Sequence, residues 1–143
     1  MAMKKGYKAL LEEANAAIKA ISPQEAHDLA QSPDHVLVDI RDPRELERDG
    51  RVPGAFHAPR GMLEFWIDPE SPYHKPVFAS GKTFVFFCAG GLRSALTTKT
   101  AQDMGLEPVM HIEGGFGAWR DAGLPVESKP KTRPAGGSQA NRD

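Results

Sequence analysis

The chain has 143 residues, 40% of them hydrophobic, with 18 Lys plus Arg against 19 Asp plus Glu for a formal net charge of -1. That suits one domain with its own core and excludes the concentrated basic face of a nucleic-acid binder and the composition of a fibre or membrane protein. One cysteine cannot form an internal disulfide, and no Cys/His cluster has zinc spacing; no metal or cofactor, no nucleic-acid or membrane partner, and a reducing, cytoplasmic setting are expected.

In chain order, Lys8, Glu12, Glu13 and Asn15 interrupt the N-terminal apolar residues, so neither a signal peptide nor a membrane span is expected there. Leu10, Leu11, Ala14, Ala17, Ile18 and Ile21 recur at helical steps and predict an amphipathic helix laid on the domain, in an extension over residues 1–20. Ser22-Pro23-Gln24-Glu25 carries a cap, a first-turn proline and a glutamate three residues on, which starts a short helix. His35 to Arg41 is a mostly apolar, β-branched run of strand length, followed at once by a second helix start in Asp42-Pro43-Arg44-Glu45 and a stop at Gly50. Val52 to His57 reads as a turn into a brief strand. Residues 61–80 are long and aromatic for a connection and are expected to form a surface excursion near a binding region, a candidate lid. Thr83 to Cys88 is a buried strand, Leu92 to Met104 a helix, Pro108 to Ile112 the last strand, and Phe116 to Ala122 a terminal helix. Alternation of strands and helices predicts an α/β domain over 21–126, with a parallel sheet covered on both faces. From residue 127 to 143 almost nothing apolar remains, so a disordered tail is expected.

Chemistry concentrates at Cys88. In an open α/β sheet ligands bind beyond the carboxyl ends of the strands, and Cys88 stands at such an end, before Ala89-Gly90-Gly91 and a helix start. Glycines let the backbone turn its N–H groups inward, the helix N-terminus adds partial positive charge, and Arg93 adds a full one; together they favour a thiolate able to attack. The structural alternative, a buried strand-end thiol, is the usual role of a lone cysteine, but the Gly-Gly and helix-start context tips the reading to function.

Cys88-Ala89-Gly90-Gly91-Leu92-Arg93-Ser94 resembles the active-site loop of the rhodanese family of single-domain sulfurtransferases. Val36 to Asp42 resembles that family's early strand, Gly50-Arg51-Val52-Pro53-Gly54-Ala55 its Gly-His-Ile-Pro-Gly-Ala turn, and Glu113 to Trp119 its closing glycine-tryptophan segment. These four stretches stand in family order between about Ile21 and Pro125. The resemblance implies a five-stranded, mostly parallel sheet with helices on both faces. It also implies a thiosulfate:cyanide type of sulfurtransferase: Cys88 takes a sulfane sulfur from a small donor such as thiosulfate, Ala89, Gly90, Gly91, Leu92, Arg93 and Ser94 bind the substrate, and a thiol, cyanide or a sulfur-carrier protein accepts the sulfur in ping-pong fashion. Arg51 departs from the family histidine and the 61–80 excursion is long, both of which bear on donor preference.

Two other readings stay open. A cysteine phosphatase or arsenate reductase would use a C-x5-R loop, whereas Cys88 to Arg93 is C-x4-R. A sulfur-carrier or regulatory binding module could keep the fold without turnover. His57 and His111, near strand ends, are read as packed or singly hydrogen-bonded in preference to catalytic. Asp39 and Arg41 are read as an ion pair bracing the neighbouring turn, and Trp119 as packing the last helix on the sheet. Phe65, Trp66 and Tyr73 either floor a groove or anchor the excursion.

Overall fold

The computed structural model describes residues 3–128, so the expected tail from 129 onward lies outside the described residues. Helix α1 covers Tyr7–Ala17, and α2, Pro23–Leu29, starts from a capping box in which Ser22 Oγ accepts the Glu25 amide (3.1 Å) and Glu25 accepts the Ser22 amide (3.0 Å). Strand β2 is His35–Asp39, two residues shorter than the apolar run. Helix α3, Pro43–Asp49, repeats the box with Asp42 and Glu45 and ends at Gly50, whose positive φ of 88° and close approach to residues 126 and 127 leave no room for a side chain. These boxes satisfy amide donors that a helix start otherwise leaves open.

A brief β3 (Phe56–His57), a short helix α4 (Leu63–Ile67), β4 (Thr83–Phe87), α5 (Leu92–Asp103), β5 (Val109–Ile112) and α6 (Gly115–Asp121) complete the chain. With β1 at Ala20–Ile21, the sheet has five strands in the order β1-β5-β4-β2-β3, and every pairing in it is parallel. Alternation along β4 divides the core: Phe84, Phe86 and Cys88 face a cluster with Leu63, Phe78 and Ala101, while Val85 and Phe87 face one with Ile21, Ala26, Phe116 and Trp119. Helices therefore cover both faces, and each fully buried phenylalanine contributes about 1.5–3 kcal/mol.

Two expectations are corrected. The apolar stripe of α1 does not run to Ile21: the helix stops at Ala17, and Ala20–Ile21 becomes an edge strand. The exposed edge of β5 needs partners for its amides, and Lys19 O and Ile21 O accept those of His111 (3.1 Å) and Glu113 (2.8 Å). The 61–80 excursion is not a lid lying over the surface, because Leu63, Ile67 and Phe78 are buried in the core. Trp66 anchors it, T-shaped against Phe56 with ring centres 6.2 Å apart and the Lys75 ammonium 4.8 Å from its ring centre. Phe65 and Tyr73 stay exposed and pair with each other.

No helix among the described residues is long and apolar enough to cross a membrane.

Candidate active site

Chain order sends β2 outward to β3 and β4 outward to β5 on the opposite side, so the crevice between the carboxyl ends of β2 and β4 is where the winding reverses. Cys88 stands there at the end of the central strand, with its residue only 1% exposed. Gly91 turns the chain with φ of 101° and caps α5, and this brings two amides onto the sulfur: Gly91 N at 3.1 Å and Ser94 N at 3.3 Å from Sγ. Both contacts favour a negatively charged sulfur, as does the N-terminus of α5. The amides of Ala89, Gly90, Leu92 and Arg93 donate to no group among the described residues. The thiol itself donates to Ser94 Oγ at 3.5 Å, and that hydroxyl lies 2.9 Å from His111 Nδ1.

The loop is held from behind by the start of α6. Phe116 N donates to Cys88 O (2.7 Å) and Gly117 N to Ala89 O (3.0 Å). Gly115, at φ 60°, lies so close that a Cβ would collide with the Cys88 carbonyl oxygen and the Ala89 backbone. A glycine is required here both for conformation and for space.

Arg93 points across the crevice. Its Nη1 and Nη2 each lie 3.0 Å from one carboxylate oxygen of Glu45, the residue that also closes the α3 capping box. The Arg93 side chain is 45% exposed and that of Glu45 18%. The hydrogen bond from Arg93 holds the Glu45 carboxyl below the usual glutamate range against an opposing burial effect, and Glu45 in turn pushes the Arg93 guanidinium up. Deeper in, Arg41 and Asp39 form the expected buried pair, with Nη2–Oδ2 at 2.7 Å and Nε–Oδ1 at 3.0 Å. Arg41 also reaches Gly50 O (3.0 Å), and its guanidinium lies 4.1 Å from the Phe116 ring centre. The pair thus joins the end of β2, the end of α3 and the start of α6, which braces more than one turn.

His57 Nε2 meets Arg41 O at 2.7 Å, a single structural bond. Trp119 is buried and donates to Pro125 O (2.7 Å), packing α6 on the sheet as expected. Arg51 pairs with Glu127 through both backbone groups (2.9 Å each). Two of the larger cavities, about 470 Å³ beside Phe78 and Leu106 and about 430 Å³ beside Leu46 and Phe56, do not touch residues 88–94. The first lies at the far end of α5 from Cys88, so the site is argued from donor geometry and not from cavity size.

The family model for the rhodanese-like domain matches residues 22–122. The chain belongs to the rhodanese-like domain family. Among relatives of this rhodanese-like chain, thiosulfate sulfurtransferase GlpE of Glaesserella parasuis is 36% identical over 107 residues, 75% of this chain and 91% of that protein. A solved structure from Rhodopseudomonas palustris, described as a protein of unknown function and possible tyrosine phosphatase, is 64% identical, covers 89% of this chain and 98% of its own, and superposes with a TM-score of 0.86. The polysulfide-sulfur transferase homodimer of Wolinella succinogenes is 33% identical over 86% of this chain and 88% of its own, with a TM-score of 0.66. Membership in a sulfurtransferase family is thereby shown.

Within this rhodanese-like domain, three features escaped sequence reasoning. Glu45 was legible only as a helix cap, since nothing in the chain announces a contact with a residue 48 positions away. The glycine-tryptophan segment was legible as a turn, and its backbone proves to be the support of the cysteine loop. His111 reads in the sequence as a packed or singly hydrogen-bonded histidine, and it is buried, but its partner is the Ser94 hydroxyl that lies 3.5 Å from the sulfur.

Proposed function

We propose that the chain is a sulfurtransferase that moves a sulfane sulfur from a small anionic donor to a thiophilic acceptor through a persulfide on Cys88. The observation that carries this reading is the pair of amides from Gly91 and Ser94 on Sγ at the crevice. The thiolate attacks the outer sulfur of a donor such as thiosulfate; the S–S bond breaks, sulfite leaves with the electron pair, and Cys88 carries –S–S⁻. Gly91 and Ser94 steady the sulfur, the open amides of Ala89, Gly90, Leu92 and Arg93 meet the donor's oxygens, and the Arg93 guanidinium screens the departing anion. Cyanide, a cellular thiol or a sulfur-carrier protein then takes the outer sulfur. With a single cysteine no internal thiol can resolve the persulfide, so turnover is ping-pong and suits a reducing, cytoplasmic setting.

The test is intact mass after thiosulfate, with Cys88→Ser beside wild type. Wild type alone should gain one sulfur atom and lose it to cyanide; no gain with thiosulfate, polysulfide or an alkyl persulfide rejects the reading. The similarity to a possible tyrosine phosphatase motivates a parallel assay with p-nitrophenyl phosphate. No hydrolysis is expected, because Cys88 to Arg93 is C-x4-R, one residue shorter than the C-x5-R loop with which cysteine phosphatases surround a phosphate.

A further inference from the structure

Beneath the cysteine loop three buried groups stand in single file. Cys88 Sγ lies 3.5 Å from Ser94 Oγ, and Ser94 Oγ lies 2.9 Å from His111 Nδ1. Their residues are 1%, 0% and 4% exposed. Ser94 differs here from its helix neighbours: Thr97 and Thr98 send their hydroxyls back to carbonyls four residues earlier, at 2.7 Å each, whereas Ser94 reaches sideways to the ring. A serine bonded along its own helix would have satisfied itself without a histidine on β5.

The groups around the ring favour a neutral imidazole while Cys88 is a thiol. Burial pushes His111 below the ordinary histidine value, and the carboxylate of Glu113, just past the end of β5, pulls weakly the other way. From β1 and its approach, Lys19 supplies only a carbonyl, to the His111 amide. Helix α5 supplies Ser94 and β4 supplies Cys88. Arg93, the full positive charge of the loop, is paired with Glu45 across the crevice. A neutral ring protonated on Nε2 leaves the Nδ1 lone pair to accept from Ser94.

We propose that His111 is a positioning residue that draws the proton from Cys88 through Ser94. The S–H bond breaks as its proton passes to Ser94 Oγ, and the hydroxyl's original proton passes to His111 Nδ1. The products are a thiolate and an imidazolium, and both hydrogen bonds reverse direction so that Ser94 Oγ–H points at the sulfur. After attack on the donor the negative charge stays on the outer sulfur of the persulfide, and the imidazolium remains as its buried counter-charge. The proposal deepens the persulfide reading and rests on Cys88 reacting as a thiolate; it does not depend on which donor supplies the sulfur.

The experiment is the rate of alkylation of Cys88 by iodoacetamide as a function of pH, for wild type, His111→Asn and Ser94→Ala. Asparagine keeps an acceptor near the Nδ1 position but has no base. Both variants should alkylate about tenfold more slowly at pH 7, with the midpoint displaced upward by roughly one pH unit, because rate follows the thiolate fraction. A wild-type profile in His111→Asn would mean that the ring only fills space and satisfies Ser94, and the proposal would fall. If either variant fails to fold, the histidine ring is followed by NMR in wild type and in Cys88→Ala. The relay requires the His111 titration to change when the thiol is removed, and identical curves overturn it. Because alkylation needs no sulfur donor, absence of sulfur transfer alongside the expected alkylation profile rejects the sulfurtransferase reading and leaves the relay standing.

Discussion

Arg41 and Arg93 each grip a carboxylate through two nitrogens, and both pairs lie where β2 and β4 end, yet water reaches only one of them. The Arg41–Asp39 side chains are 1% and 2% exposed, while Arg93 is 45% exposed over Glu45. Burial raises the cost of leaving a charge unpaired far more than it raises the net worth of the pair. The inner fork is therefore committed to shape. The outer fork is a surface interaction that a bound anion can compete with, since exposed pairs contribute at most about 1 kcal/mol.

Removing Asp39 gives the largest expected effect. Asp39→Ala leaves the Arg41 charge buried without its partner and should cost about 3–5 kcal/mol in chemical denaturation. A loss below about 1 kcal/mol would mean that solvent enters beside Arg41 and that the two forks are alike. Replacing both members by apolar residues of similar volume should recover most of the loss, because what destabilises is the orphaned charge.

Glu45 comes next and separates two roles held by one side chain. Glu45→Ala removes the capping acceptor along with the ion pair and should cost about 1–2 kcal/mol. Glu45→Gln keeps an acceptor for the Asp42 amide but releases the Arg93 charge, so stability should fall by less than about 1 kcal/mol. The freed guanidinium should then lower KM for dianionic thiosulfate about fivefold, the kinetic equivalent of that pair, and help a monoanionic alkyl persulfide less. An unchanged ratio of the two donors would show that Arg93 does not meet the donor.

The smallest effects come from pH. Arg93 holds the Glu45 carboxyl low, so its contribution is fully present above the unfolded glutamate value of about 4.3 and is lost as pH falls through the folded value. Burial likewise holds His111 low, and while Cys88 is a thiol the stability from keeping the ring neutral is present above the unfolded histidine value of about 6.5 and is lost on acidification below it. A melting-temperature profile should thus decline in two windows. The upper decline should flatten in His111→Asn and the lower in Glu45→Gln, each amounting to no more than a few degrees; a single decline in either variant identical to wild type would remove that group as its source.

What the chain reveals in advance follows the range of the forces involved. Ser22 with Glu25, Asp42 with Glu45, and Gly50 act within one turn of helix, so their spelling is visible and the helices begin and end where read. The apolar runs of β2 and β4 and the position of Cys88 between strand and helix are equally local. Ala20–Ile21 is not, because two residues cannot show alternation and Ile21 fits the helical stripe equally well; the unpaired edge of β5 decides it. Aromatic residues between 61 and 80 spell the same whether they face solvent or core, and only packing distinguishes Phe78 from Tyr73. The same limit hides Glu45 from Arg93 and His111 from Ser94, whose meetings depend on how neighbouring strands are ordered.

The contact between Gly115 and the cysteine loop carries a consequence for the order of synthesis. The carbonyls of Cys88 and Ala89 receive their donors from Phe116 and Gly117, residues that leave the ribosome well after the cysteine does. Until they emerge, Cys88 sits on a turn without these two donors, so under the proposed function a nascent or prematurely terminated chain would expose a cysteine without arming it.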